Sequence, residues 1–150
     1  MPQSLSSVIV HIIYSTKDRF PCLAPSTRPH LHAYLATVAR NSGCEGYRVG
    51  GTADHIHLAV RLSRTIAIAG LVEELKTSLS KWLKMQQPEL RRFSWQRGYA
   101  AFSVCQNELA DLVTYVSNQD EHHKTRTFQE EYRALLQRYG VPYDERYVWD

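Results

Sequence analysis

Ser7 to Ser15 reads SVIVHIIYS, apolar and β-branched on both alternating sets of positions. A strand with no polar side is covered on both faces, so this segment is predicted to be a central strand. After the turn-rich stretch from Lys17 to Pro25, Leu31, Tyr34, Leu35 and Val38 recur at helical spacing, with Ser26 as candidate N-cap and Gly43 as the stop. Tyr47 to Val49 leads through Gly50-Gly51 into Asp54 to Leu62, and a glycine pair between two strand-like runs predicts a hairpin. Ile68, Leu71, Val72, Leu75, Leu79, Trp82 and Leu83 form the stripe of a second helix that Pro88 ends. Ser94 to Val104 is strand-like but interrupted by Gly98. From Asn107, a candidate cap, Leu109, Leu112, Val113 and Val116 mark a third helix. Thr127 with Glu130 three residues on is a capping box for a last helix through Phe128, Tyr132, Leu135, Leu136 and Tyr139, stopped by Gly140 and Pro142.

The order β α β β α β followed by further helices is that of the split βαβ, ferredoxin-like arrangement. The expectation is an α+β fold over residues 1–150 as one domain. It has a four-stranded antiparallel sheet with the first and third strands central, helices on one face, and additional C-terminal helices. A hydrophobic fraction of 43% with 22% charged residues excludes a disordered chain. Met1 to Ser7 carries no basic side chain, and the longest apolar stretch, Val8 to Ile13, is far too short to span a bilayer, so secretion and membrane insertion are not expected. Cys22, Cys44 and Cys105 are odd in number and lack CxxC spacing, which points to a reducing, cytoplasmic setting rather than a disulfide framework.

Net charge is only +3, but it is unevenly distributed. Lys76, Lys81, Lys84, Arg91, Arg92 and Arg97 face a single acid, Glu89, within one stretch of the chain. Trp82, Phe93 and Trp95 are interleaved with them. Cations for phosphates and rings for unpaired bases are what single-stranded nucleic acid rewards. The same residues also describe a solvated helix face with core aromatics, Trp82 among them.

On the third strand, Ile56, Leu58, Val60 and Leu62 occupy one face, and His55, His57, Ala59 and Arg61 the other. Both imidazoles therefore leave the core together, with Cβ atoms roughly 7 Å apart, and can converge on one divalent ion. His30 and His32 cannot, because residues two apart on a helix point about 200° apart. His122 and His123, adjacent at a helix end, fail the same test as a pair. His11, on the first strand, reads as a hydrogen-bonded core histidine. Tyr115 and Gln119 stand one turn apart on the third helix, flanking its buried stripe. The pair has two readings. An amide oxygen and a hydroxyl could be brought to the histidines, or the two are a rim tyrosine and a surface glutamine.

The strand Asp54-His55-Ile56-His57-Leu58 resembles the His-hydrophobic-His (HUH) motif, and Tyr115-Val116-Ser117-Asn118-Gln119 resembles the tyrosine-to-glutamine helix of the small single-tyrosine HUH transposases. Those enzymes move bacterial insertion sequences as single-stranded DNA. Trp95 to Val104 and Asn118 to His123 are similar to them as well, in the same order along nearly the whole chain. The resemblance implies a homodimer of ferredoxin-like fold that acts on DNA hairpins at element ends. By it, His55, His57 and Gln119 are metal ligands and Tyr115 is the nucleophile that forms a 5′-phosphotyrosine link. Lys76, Lys81, Lys84, Arg91, Arg92 and Arg97 would track the hairpin's phosphates while Trp82 or Trp95 stacks a base. Mixed nitrogen and oxygen ligation suits magnesium or manganese, whereas zinc is expected to recruit a further histidine or thiolate. Bond energy is conserved in such a transesterification, so no nucleotide cofactor is expected. A non-catalytic nucleic-acid-binding regulator derived from such a transposase, and a phosphoesterase using water, are the alternatives.

Overall fold

A computed structural model describes all 150 residues. In it β1 (Ile9–Ser15), β2 (Glu45–Gly51), β3 (His55–Arg61) and β4 (Ala100–Val104) form one antiparallel sheet in the order β2-β3-β1-β4. This is the expected ferredoxin-like topology, with β1 and β3 central. Every residue of β1 is buried. One face carries α1 (Arg28–Asn41) and α2 (Ile68–Gln86), whose Leu31, Leu35, Leu71, Leu75 and Leu79 close on Ile12, Tyr14, Ile56 and Leu58. The other face is covered too. There α3 (Leu109–Ser117), the short α4 (Gln119–His122) and α5 (Phe128–Arg138) pack over Ile13, Ala59, Ala100 and Phe102.

Four local expectations are corrected. Thr27, not Ser26, precedes α1 and makes no side-chain cap bond; Pro29 leaves one fewer amide there to satisfy. Gly50-Gly51 is not the hairpin turn but the end of β2, paired with His57 and Ile56, and Thr52 to Asp54 make the turn. The fourth strand is shorter than Ser94 to Val104. Lys76 Nζ donates to the carbonyls of Gln96 (2.7 Å), Arg97 (3.3 Å) and Gly98 (2.8 Å), and the Gly98 amide donates to Asp150, so these groups are bonded away from the sheet although the Gln96 amide still donates to Ser15 at the end of β1. Only Trp95 makes an isolated bridge, to Thr16. Finally, α3 begins after a 3-10 turn over Gln106–Glu108, where Glu108 reaches back to the Cys105 amide in place of an Asn107 cap, and the helix breaks at Asn118.

No helix is long and apolar enough to cross a membrane.

Candidate active site

The period of two puts His55 and His57 on the sheet face away from α1 and α2, as the alternation predicts. Because α3 to α5 cover that face, both rings are fully buried rather than open to solvent. Each has one ring nitrogen taken up by a neighbour. His55 Nδ1 lies 2.7 Å from Asp54 Oδ1 and 3.0 Å from Thr52 Oγ1, both in the turn that begins the strand. His57 Nδ1 lies 2.7 Å from Nε2 of His11, and the two rings stack. With Nδ1 held, both Nε2 atoms are fixed toward one centre, which is how outer partners orient metal-ligating histidines. His11 is thus a buried, hydrogen-bonded histidine, as expected, and its partner is His57.

Gln119 is 1% exposed, at the first position after the Asn118 break, where its side-chain amide donates to the Tyr115 carbonyl. Its Oε1 stands 3.2 Å from His55 Nε2. With the His55 proton on Nδ1, these are two acceptors facing each other, an arrangement that a cation between them reconciles. Tyr115 and Gln119 therefore reach the histidines together, although from two helical segments rather than one continuous helix.

Three further groups enter the same space. His123 Nδ1 donates to the Arg126 carbonyl (2.7 Å), turning Nε2 to within 3.0 Å of Gln119 Oε1. Glu131, on α5, is 1% exposed; its Oε1 lies 3.0 Å from His57 Nε2 and 3.2 Å from His123 Nε2. Its Oε2 accepts the Tyr115 hydroxyl and lies 3.3 Å from His122 Nε2. Candidate ligand atoms of His55, His57, His123 and Glu131 all lie within 4.8 Å of one another. Two donors bonded to one cation at 2.0–2.2 Å are at most about 4.4 Å apart, so this set closes on an ion with small movements. The donor chemistry fits a divalent metal.

The charges follow from burial and from Glu131. Burial pushes His57 down to about 4, with Glu131 opposing it only partly, and pushes His11 down to about 3. Burial works against the Glu131 charge, but the hydrogen bonds from His123 and His57 hold its carboxyl well below the usual carboxylate range. Burial, and then Glu131, raise the Tyr115 phenol above its ordinary value. Two buried neutral histidines predict acid sensitivity. Their folded values lie below the unfolded 6.5, so the unfolded state binds more protons between about pH 6.5 and pH 4, and stability falls as pH falls through that window. Each contributes a loss of about 2 kcal/mol by pH 5, so the metal-free melting temperature should drop by roughly 8–16 °C between pH 7 and pH 5. A flat profile over that range would contradict neutral, buried rings.

The basic segment is not gathered at this site. Lys76 is engaged with three carbonyls, and burial lowers its ammonium to about 8. Lys81, Lys84, Arg91, Arg92 and Arg97 are exposed, and α2 lies across the sheet from the histidines. Trp95 is not available to stack a base. It is 8% exposed, wedged edge-on against Tyr14 and Phe93, and donates to the Lys76 carbonyl (3.1 Å). Trp82 is half-buried and stacks on Tyr34. Nearer the site, a cavity of about 570 Å³ runs along β2 between α1 and the end of α3, with Arg28, His32 and Arg48 on its walls and Gln119 at one side.

Sequence reasoning missed His123 and Glu131. His122-His123 fails as a self-contained pair, but one member can join ligands on another element. Glu131 had a readable signal. Phe128, Tyr132, Leu135 and Leu136 define the apolar stripe of α5, and position 131, three after Phe128 and four before Leu135, falls inside it. An acid at a core position demands a partner.

A family model described as "Transposase IS200 like" matches residues 4–119. Among solved structures, the chain is similar to a putative transposase from Deinococcus radiodurans R1. The two are 22% identical over 79% of this chain and 98% of that one, with a TM-score of 0.64. It is also similar to a REP-associated tyrosine transposase bound to a REP hairpin, at 14% identity over 77% of this chain and 68% of the other, TM-score 0.56. At these identities the two structures share the fold with this chain. No curated protein matches it.

Proposed function

This chain belongs to the IS200-like transposase family, the single-tyrosine HUH enzymes, and from that premise we propose that it cleaves and rejoins hairpin-bearing single-stranded DNA with Tyr115 as nucleophile. The observation that carries the reading is that the Tyr115 ring packs edge-on against the buried His57 while Gln119 Oε1 stands 3.2 Å from Nε2 of the buried His55, with the Tyr115 hydroxyl held by Glu131 beside them. His55, His57 and Gln119 would hold a divalent cation, magnesium or manganese. Such a cation supplies Lewis-acid stabilisation of charge on the scissile phosphate.

The protein's own groups do the rest. Asp54 and His11 fix the two imidazoles, and their burial keeps water from competing for the site. Tyr115 Oη forms a bond to phosphorus as the bond from phosphorus to the 3′ oxygen breaks, giving a 5′-phosphotyrosine and a free 3′-hydroxyl. The phenol gives up its proton and the 3′ oxygen gains one, so the step is balanced. It reverses when a 3′-hydroxyl attacks the phosphotyrosine, because a phenol is a good leaving group. The solved relative described as bound to a REP hairpin supports a hairpin as the structured part of the substrate.

The test is direct. The protein is incubated with single-stranded DNA carrying a hairpin, with and without manganese, and resolved under denaturing conditions. A covalent band that needs the metal is the expected result. Cleavage with turnover but no band would indicate water as the nucleophile, and binding alone would indicate the regulator.

Lys81, Lys84, Arg91, Arg92 and Arg97 are proposed as the hairpin's phosphate contacts, with Lys76 supporting the same segment from within. Charge reversal of Arg91 and Arg92 together should weaken hairpin binding and lower the slope of log affinity against log salt by at least about 1.4–1.8, since each phosphate contact contributes roughly 0.7–0.9. An unchanged slope would remove these residues from the interface. The homodimer rests on the resemblance alone and the cytoplasmic setting on the unpatterned cysteines Cys22, Cys44 and Cys105; sedimentation of the free chain reads the first of them.

A further inference from the structure

We propose that Glu131 is both a ligand of the metal and the group that aims Tyr115, so that one carboxylate ties the cation to the nucleophile. The inference rests on the reading above in taking His55 and His57 as the metal's anchor. It goes further by adding two residues, Glu131 and His123, that lie beyond the family-matched span of 4–119.

The two oxygens of Glu131 face different partners. Oε1 lies beside Nε2 of His57 and of His123 and 3.7 Å from Nε2 of His55, in the space on which those lone pairs converge. Oε2 accepts the Tyr115 hydroxyl. A carboxylate with one oxygen on a cation keeps the other free to accept a hydrogen bond. The His11 to His57 contact can form with either nitrogen as donor, so His57 can free Nε2 for a metal without losing its partner.

The position is built into the fold. Thr127 Oγ1 accepts the Glu130 amide (3.1 Å) at the start of α5, and Phe128, Tyr132 and Leu136 bury the helix against Ile13, Ala100 and Phe102. Each such side chain contributes roughly 1.5–3 kcal/mol. That packing offsets the cost of carrying a carboxylate into the interior, and it delivers Glu131 between His57 and Tyr115.

The donor set has a consequence for metal choice. Three imidazoles and a carboxylate, with the Gln119 amide beside them, are richer in nitrogen than the two-histidine site read from sequence. Magnesium favours oxygen ligands and gives up water reluctantly, whereas imidazole suits first-row transition metals. The site should therefore take manganese in preference to magnesium.

The experiment is calorimetric titration of the full chain with manganese chloride and with magnesium chloride. It is paired with NMR of protein carrying ring-labelled tyrosine, in which the Tyr115 signal is assigned by its absence from Tyr115→Phe. Wild type should bind manganese at least tenfold more tightly than magnesium. Glu131→Gln should weaken manganese binding tenfold or more and shift the metal-free Tyr115 signal. His123→Asn should weaken manganese binding and leave that signal in place, and Tyr115→Phe should leave manganese affinity near wild type. Wild-type manganese affinity in Glu131→Gln, or an unmoved Tyr115 signal, would overturn the proposal. If that variant does not fold, Glu131→Asp, which withdraws the charge by one methylene, is read by the same two signals, and wild-type values for both would overturn it equally. A missing covalent band from a wild type that binds manganese and shows the Glu131 effects would sink the transferase reading and leave this one standing.

Discussion

Tyr115→Phe brings the covalent protein–DNA band to background and leaves hairpin affinity within about twofold of wild type. The substitution removes only the hydroxyl and leaves the ring intact, so the ring keeps its place beside His11 and His57. Glu131 loses the phenol as donor but keeps His57 and His123 on one oxygen and His122 on the other, so the buried carboxylate is still partnered. The stability change should be within roughly 1 kcal/mol, the scale of one hydrogen bond. A band that persists in this variant would mean that another group attacks phosphorus. The nearest oxygen nucleophile is Glu131, and Tyr115→Phe combined with Glu131→Gln separates that case. The measurement is the band intensity at fixed DNA and manganese, with affinity taken independently from a gel shift in the absence of metal.

The fold was largely legible because its signals are local. Two-sided apolarity marked β1, alternation placed the histidines on one face of β3, and the stripes of α1, α2 and α5 gave their buried sides. The failures occurred where a distant group decides the outcome. Nothing near Gly98 announces that Lys76, more than twenty residues earlier, will collect the carbonyls that a strand would have used. The site divides in the same way. His55, His57, Tyr115 and Gln119 could be paired by spacing within their own elements. His123 and Glu131 join only because α5 folds back over the sheet, and that depends on Phe128, Tyr132 and Leu136 finding Ile13 and Phe102. Periodicity could nevertheless have flagged Glu131 as an acid in a core stripe, since burial of an ionised group has to be compensated. Trp95 misled because aromatic residues among cations serve a core as readily as a binding face.

Gly50→Ala is the second large effect, and it concerns how the tyrosine helix reaches the sheet. Gly50 sits opposite His57 in the β2–β3 register, so both face the same side. The end of α3 comes down on it: a Cβ there would lie 2.1 Å from the Val116 carbonyl oxygen and 3.0 Å from its carbon. These are backbone atoms of a packed helix, with no flexible side-chain end to yield, so the helix or the strand edge has to move. Overpacking of this kind costs typically 1–3 kcal/mol, and backbone displacement puts the expected loss at the upper end, about 3 kcal/mol. For a chain of this size that is a fall of roughly 6–12 °C in Tm. Lifting α3 also carries Tyr115 and Gln119 away from His55 and His57, so the covalent band should fall further than the fraction of unfolded protein accounts for. Gly70→Ala is the control. That glycine lies in α2 on the other face, its added Cβ would meet nothing closer than 3.6 Å, and alanine there should stabilise by up to about 1 kcal/mol. A Gly50→Ala protein that melts with the wild type and retains its band would mean that the glycine is not what allows the close approach, and the coupling of β2 to the nucleophile would have to lie elsewhere.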